Sequence, residues 1–559
     1  MALSGSASDN VGVTQVKWSN NRGGSGTATL SGTHWSVSAI ALQTGTNTLS
    51  ATARDAAGNT ASSSVVVTYG SSGAGAPYYL SPTGNNAADC KSVATPCKTF
   101  AHVFSRMAAG DELILLDGTY SAAVGTGSMH WDDGANSAQI PSGTAARSTY
   151  VHALNPGKVT IQGSLFIGRS TRKDSYITVQ GLTFEGGGAL YNTSFVTLKD
   201  CGFHGPLGIG TNDHTQGNTD NLIEDVWVWA EGQRIIAINY RADRNVWRRV
   251  VVRGDGCSTA ECAASGSPNV GITVYESRDV SMQNVMVVDR VLSQAAINAG
   301  NRYADFATAQ HTPTSSLYLG RNEWLGCISL NAPDAGFVFE AGDTIASDPT
   351  WTLKNVLAIG SGIDGINIGW NGRLVLSNAT AINTKQTGDG LRVAPGSVGT
   401  SVSNMIVKGF NRGLNSSLVP KYTDTFGSAA MYNQTTPSVG ARTTDPSADG
   451  GTPSLKYPVR IEAGSALKGA GAGGSDIGAN IVTRYGVDGA RQGDSGYNAQ
   501  GSAALWPWPN EDRIKKEMCK STTRGFCSTG KRLDGVHPVT LTSYVWEALG
   551  NAIPASIYP

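Results

Sequence analysis

The sequence predicts an all-β chain, most of it wound as a solenoid of short strands, and two recurring phrases carry that prediction. The first phrase is Asn followed by an apolar alternation. It stands at Asn284-Val285-Met286-Val287, Asn355-Val356-Leu357-Ala358, Asn378-Ala379-Thr380-Ala381 and Asn404-Met405-Ile406-Val407. Looser copies begin at Asp200, Asp225 and Arg249. Neighbouring copies lie roughly 23 to 35 residues apart, the length of one solenoid coil. The gap from Asn284 to Asn355 is about three times as long and must hold further coils or an insertion. The second phrase keeps the same beat at Asp364-Gly365-Ile366, Asp389-Gly390-Leu391 and Arg412-Gly413-Leu414. Each copy alternates an inward apolar residue with an outward variable one, the period of a strand. The Asn or Asp ahead of it falls at a bend, where its side chain is expected to bond its counterpart in the next coil.

This pattern resembles the right-handed parallel β-helix proteins of the pectate-lyase type, and the fold class expected is a right-handed parallel β-helix with a small β-sandwich ahead of it and short helical caps. Composition agrees. A chain of 559 residues exceeds one ordinary globular core, so two or three units are expected. Gly 70 suits a coil that turns sharply several times per rung.

Residues 1–70 form the first unit. Alternating runs at Val13–Trp18, Thr27–Leu30, Trp35–Ile40, Thr46–Ala53 and Ser63–Tyr69, parted by Gly, Asn and Asp turns, predict a small β-sandwich. The stretch from Leu3-Ser4-Gly5-Ser6 to Val13, and Ala53-Arg54-Asp55-Ala56-Ala57-Gly58-Asn59, resemble the bacterial Ig-like modules of secreted proteins. Such modules carry another strand before the Leu-Ser-Gly-Ser phrase. Its absence here is expected to be a truncation, the alternative being a strand supplied by another chain to an open sheet edge. A monomer follows from the first reading and head-to-tail oligomers from the second.

Gly70 to Pro77 has a linker composition. The β-helix is expected over 78–500. Its opening phrases, Tyr79-Leu80-Ser81-Pro82-Thr83-Gly84-Asn85 and Gly110-Asp111-Glu112-Leu113-Ile114-Leu115-Leu116-Asp117-Gly118-Thr119-Tyr120, resemble the start of bacterial β-helix proteins. Phe100, Val103, Phe104 and Met107 fall on one helical face, with Gly110 as a stop, and predict a short helix over the open end of the first coil. Coils continue to about residue 420, and Gly474-Ser475-Asp476-Ile477-Gly478-Ala479 resembles the closing phrase of such domains. Residues 501–559 are expected to be a second cap, with helical patterns over Asn510–Lys520 and Ser543–Leu549.

Only 15% of the residues are charged, and Lys+Arg 42 balances Asp+Glu 42, so no long-range field draws nucleic acid or anionic lipid. No apolar run reaches membrane-spanning length, and Met1-Ala2-Leu3 is no basic and apolar leader. Three close cysteine pairs, Cys90 with Cys97, Cys257 with Cys262 and Cys519 with Cys527, predict loop-locking disulfides and a secreted or cell-surface setting. Cys201 and Cys327 fall at inward positions and read as buried core thiols.

The coil phase also predicts a site. With Leu182, Cys201, Val226 and Val250 equivalent and inward, the residues three further on are Glu185, His204, Trp229 and Arg253. These stack in one outward column, about 4.8 Å per rung. Beside it run Thr183, Gly202, Trp227 and Val251, so Trp227 and Trp229 are expected to be sugar-stacking platforms. The loops carrying Asp213, His214 and Asp255 leave the same region as groove walls. A further column, Gln180, Lys199, Glu224, Arg248 and Gln283, is expected to pair with itself in solvent at little gain. The Asn ladder is expected to be structural.

The resemblance implies a carbohydrate-active protein, most nearly a polysaccharide lyase. A lyase must neutralise a uronate carboxylate by Ca²⁺ or basic groups, then abstract the adjacent proton. Arg253 is the expected neutralising group and His204 the base, with Glu185 in the same catalytic column. Trp227, Trp229 and His214 would bind the sugar, and Asp213 and Asp255 would hold Ca²⁺. Asn218-Thr219-Asp220 resembles one polygalacturonase motif, but its companions are missing or out of order. The expected partner is an acidic polysaccharide, with a non-catalytic surface, adhesive or filament protein as the alternative.

Overall fold

Coil stacks on coil in parallel register, as the repeat predicts. The computed structural model describes every residue except 1–2, 22, 38–39, 41–44, 70–76, 123–127, 130–138, 170–171, 211–216, 233–234, 256–268, 293–303, 311–320, 342–350, 370–372, 398 and 559. The chain is a right-handed parallel β-helix with a small antiparallel unit ahead of it. Each typical coil gives two strands to a 21-stranded sheet and one to an 11-stranded sheet. One coil, for example, contributes Leu222–Glu224 and Trp227–Glu231 to the first sheet and Ile235–Tyr240 to the second.

The bend between the paired strands explains the recurring Asn and Asp. Asp200, Asp225, Arg249, Asn284, Asn355, Asn378 and Asn404 all have φ between 49 and 58°. That left-handed region penalises most side chains, and Asn and Asp tolerate it best. Gly326, at φ 67°, holds the equivalent bend of the one coil inside the long gap, between strands Glu323–Leu325 and Ile328–Leu330. The second phrase belongs to the other sheet, where Ile366 pairs with Leu391 and Leu391 with Leu414. Its glycines answer a packing need. A Cβ on Gly390 would lie 2.1 Å from a Val407 methyl and 2.8 Å from the Gly413 carbonyl oxygen.

The interior is a column of stacked apolar side chains, Phe184, Phe203, Val228, Val252 and Val287 among them, all fully buried. Helix Phe100–Phe104 starts at Thr99, whose hydroxyl accepts from the His102 amide, and it buries Phe100, Val103 and Phe104 in that same core. The expected N-terminal cap is therefore present, stapled by the Cys90–Cys97 disulfide. Cys519 pairs with Cys527, and Cys201 and Cys327 are buried free thiols. The Cys257–Cys262 pair and nearly all of the Gly70–Pro77 segment lie outside the described residues.

The first unit has two antiparallel sheets. Leu3–Ser6, His34–Val37 and Thr29–Ser31 form one, and Ser25–Thr27, Val13–Asn20, Gly45–Asp55 and Thr60–Tyr69 the other.

The C-terminal part departs from expectation. After strand Ala430–Asn433 the chain leaves the coils and runs back along their side. Ala472 docks at Asn404, Asp476 at Asn378, Asn480 at Asn355, Tyr485 at Asn284 and Gly489 at Glu224. Helices Glu511–Met518 and Leu541–Trp546 lie further along it. The tail is a lateral strap, not an end cap. The Asn ladder is corrected with it: Asn284, Asn355, Asn378 and Asn404 spend their side chains on the strap, while Asp225 and Arg249 pair between coils. The strap is held by a second apolar core that joins Trp227, Met286, Ile328, Leu357 and Ile406 to Leu455, Ile477, Trp506, Trp508 and Trp546.

Candidate functional site

Strand pairing brings the predicted column together. His204 pairs with Trp229 and Trp229 with Arg253, while Glu185 follows Phe184, the partner of Phe203. Glu185 Oε2 lies 2.8 Å from His204 Nδ1, and the imidazole stacks on Trp229 at 5.0 Å. Glu231, which sequence reasoning missed, sits 2.6 Å from His204 Nε2. From the strap, Lys520 Nζ donates to Glu185 at 2.7 Å and Ser521 Oγ to Glu231 at 2.9 Å.

The arrangement opposes the expected chemistry. The hydrogen bond to Glu185, then that to Glu231, raises the His204 pKa, and the same bond draws Glu185 down to about 2. A general base needs a neutral imidazole with a free nitrogen. Both nitrogens of His204 face carboxylates, so it clamps three successive coils together, and the strap joins the cluster through Lys520 and Ser521.

Arg253 and the two tryptophans are corrected more firmly. Trp227 is 0% exposed and Trp229 2%, so neither is a platform for sugar. The Trp227 indole N–H donates to Glu517 Oε2 at 2.8 Å, with the Arg513 guanidinium 4.6 Å over its ring. Arg253, also 0% exposed, is paired with Asp255 at 2.9 Å, lies over the Phe526 ring and donates to Cys527 Sγ. Helix Glu511–Met518 and the Cys519–Cys527 loop sit where substrate would have to enter. The neighbouring polar column pairs with itself as expected, but not in solvent. Glu224, Arg248 and Gln283 are fully buried, and Arg248 donates to the carbonyls of Val487, Ala490 and Tyr497 in the strap. Unpaired, such a buried guanidinium would be costly.

Asp255 does not fit Ca²⁺, because its carboxylate is occupied by Arg253 and Arg524. Asp213 and His214 lie outside the described residues. Among the described residues one group has metal-ligand spacing, Cys90, Cys97 and His102, and there the two sulfurs are bonded to each other.

A second surface, on the 11-stranded sheet, was not anticipated. Tyr240 and Tyr275 end adjacent strands, pair in register and stack at 5.2 Å with their rings 18° apart. Both are half-buried, and Arg241 lies 5.2 Å over Tyr240 while pairing with Glu276 at 2.7 Å. Burial, then the Glu276 carboxylate, raises the Tyr275 phenol, which therefore stays a hydrogen-bond donor. Two coils on, the same register reaches Glu340. Gly210 pairs with Tyr240 on the other side, and two residues back a neighbouring outward column runs from Thr273 and Ile238 through Gly208 and Ala189 to Phe166, 37% exposed. The signal was in the sequence: Ile235-Ile236-Ala237-Ile238-Asn239-Tyr240 and Val270-Gly271-Ile272-Thr273-Val274-Tyr275 end on the same aromatic at the same phase.

No protein-family model matches the chain, and no curated protein sequence does. Among solved structures, XylC in complex with xylose is similar at 8% identity and TM-score 0.43, over 66% of this chain and 86% of that one. A family 6 polysaccharide lyase from Pseudopedobacter saltans is similar at 11% identity and TM-score 0.33, over 68% and 98%. The family 28 exopolygalacturonase of Yersinia enterocolitica is similar at 7% and 0.28, over 79% and 96%. At such scores these likenesses carry no argument about activity.

Proposed function

We propose that this β-helix protein is carbohydrate-active and holds an acidic polysaccharide along the outward face of its second sheet. The observation that supports this is the stacked Tyr240–Tyr275 pair with Arg241 beside it. Aromatic faces suit the C–H faces of sugar rings, and a guanidinium suits a uronate carboxylate. Beside the tyrosines, the outward column from Ile238 through Gly208 and Ala189 to Phe166 extends this face over several coils. The reading moves the substrate away from the column of His204 and Arg253, which the strap covers, and keeps the substrate class that the resemblance to β-helix lyases implied.

Turnover is the sharper form of the proposal. Incubation with a panel of uronate polymers, with and without Ca²⁺, should give rising absorbance from unsaturated chain ends if the protein is a lyase. Tyr240→Ala should lower the rate at least tenfold. A flat trace on every polymer, together with firm retention on one of them, would favour the adhesive, non-catalytic alternative. Neither turnover nor retention on any acidic polymer would refute the proposal.

A further inference from the structure

The outward column that holds Trp227 continues through Val251, Met286, Ile328, Leu357, Thr380 and Ile406 and ends on a carboxylate, Asp424. Asp424 is 1% exposed, and neither of its carboxylate oxygens has a hydrogen-bond partner. The segment after the last coil closes over it. Arg442 bridges to the Asp424 strand, with its amide donating to the Thr423 carbonyl and its own carbonyl accepting from Thr425. Asp445 follows, paired with Lys408 at 2.7 Å, and then Asp449, whose carboxylate accepts from the amide and hydroxyl of Ser454. The charged and titratable groups acting on Asp424 are thus Asp449, Arg442, Asp445 and Lys408, and the Tyr432 phenol feels its charge in turn.

A buried carboxylate without a donor is costly when ionised and much less so when neutral. Here two further acids stand close, and the bases are only partly available because Lys408 is already engaged. From this geometry we infer that Asp424 is a proton-operated catch, which holds the 439–454 segment onto the last coil when neutral and loosens it when charged. Burial, and next the Asp449 carboxylate, push Asp424 up to about 7. The sign follows. The folded state binds the proton more tightly than the unfolded chain, whose value is 3.8, so stability falls as pH rises between the two and is level above. The catch matters beyond its own coil, because Leu455 and Leu467 just after it belong to the apolar core of the strap.

The test is hydrogen exchange on the full chain, with protection at the Thr425 and Arg442 amides corrected for intrinsic rates. Protection is expected to fall on the order of tenfold or more between pH 5 and pH 8, and Asp424→Asn should remove that fall. Asp449→Asn, which takes away a repelling charge, should move its midpoint to lower pH. A wild-type profile that is flat, an unchanged fall in Asp424→Asn, or an unmoved midpoint in Asp449→Asn would each overturn the inference. So would protection at pH 8 that depends on added Ca²⁺ and is lost with chelator, since that would make the site a cation site.

Discussion

At the scale of single residues, His204 shows how a correct position can carry the wrong role. Its place in the column beside Glu185 followed from coil phase alone, but its second carboxylate partner, Glu231, and Lys520 come from the tertiary fold. The His204–Glu185–Glu231 cluster should stabilise the stacking of its coils by about 0.5–1 kcal/mol, a small amount because the groups are about a quarter to two-fifths exposed. The sign is set by His204, whose folded pKa lies above the reference 6.5. Its contribution is complete below about 6.5 and is lost as pH rises through the raised value. Hydrogen exchange in the strands that carry His204 and Glu231 should therefore quicken above neutral pH beyond its intrinsic rate, and His204→Gln should remove that dependence. Equal pH dependence in the variant would contradict the clamp.

The elements divide into those that local sequence specifies and those that it does not. Strands, bends and the N-terminal helix were legible because each rests on a short-range rule: alternation, tolerance of positive φ at Asn, apolar spacing with a Gly stop. The strap was not. Its helices Glu511–Met518 and Leu541–Trp546 match the patterned stretches, yet nothing local says which surface they cover. One signal was available. Outward positions that read Trp227, Val251, Met286, Ile328, Leu357 and Ile406 are too apolar for a solvated face and imply a cover. The Trp227–Glu517 hydrogen bond measures the docking. Trp227→Phe keeps most of the buried area but strands the buried Glu517 carboxylate with fewer donors, and should cost about 1–3 kcal/mol. A comparison with Glu517→Gln and the double variant by hydrogen exchange at the helix amides checks this. Additive effects would mean the two side chains are not coupled.

Across the whole molecule, the strap divides the surface. It seals one flank of the β-helix, including the predicted catalytic column, and leaves the second sheet as the face with half-exposed aromatics in register. Sequence phase sufficed to stack residues in columns, but which column stays open depends on where the last hundred or so residues go, and no repeat encodes that. The fold was therefore read nearly whole, while the column chosen as the site lies under the strap, with Trp227, Trp229 and Arg253 buried. The measurement that tests this most directly is hydroxyl-radical footprinting of the full chain with and without a uronate polymer. Protection is predicted at Phe166, Tyr240 and Tyr275, with His204 and Tyr544 unchanged. Protection at His204 and the strap, with the second-sheet aromatics unaffected, would contradict the account.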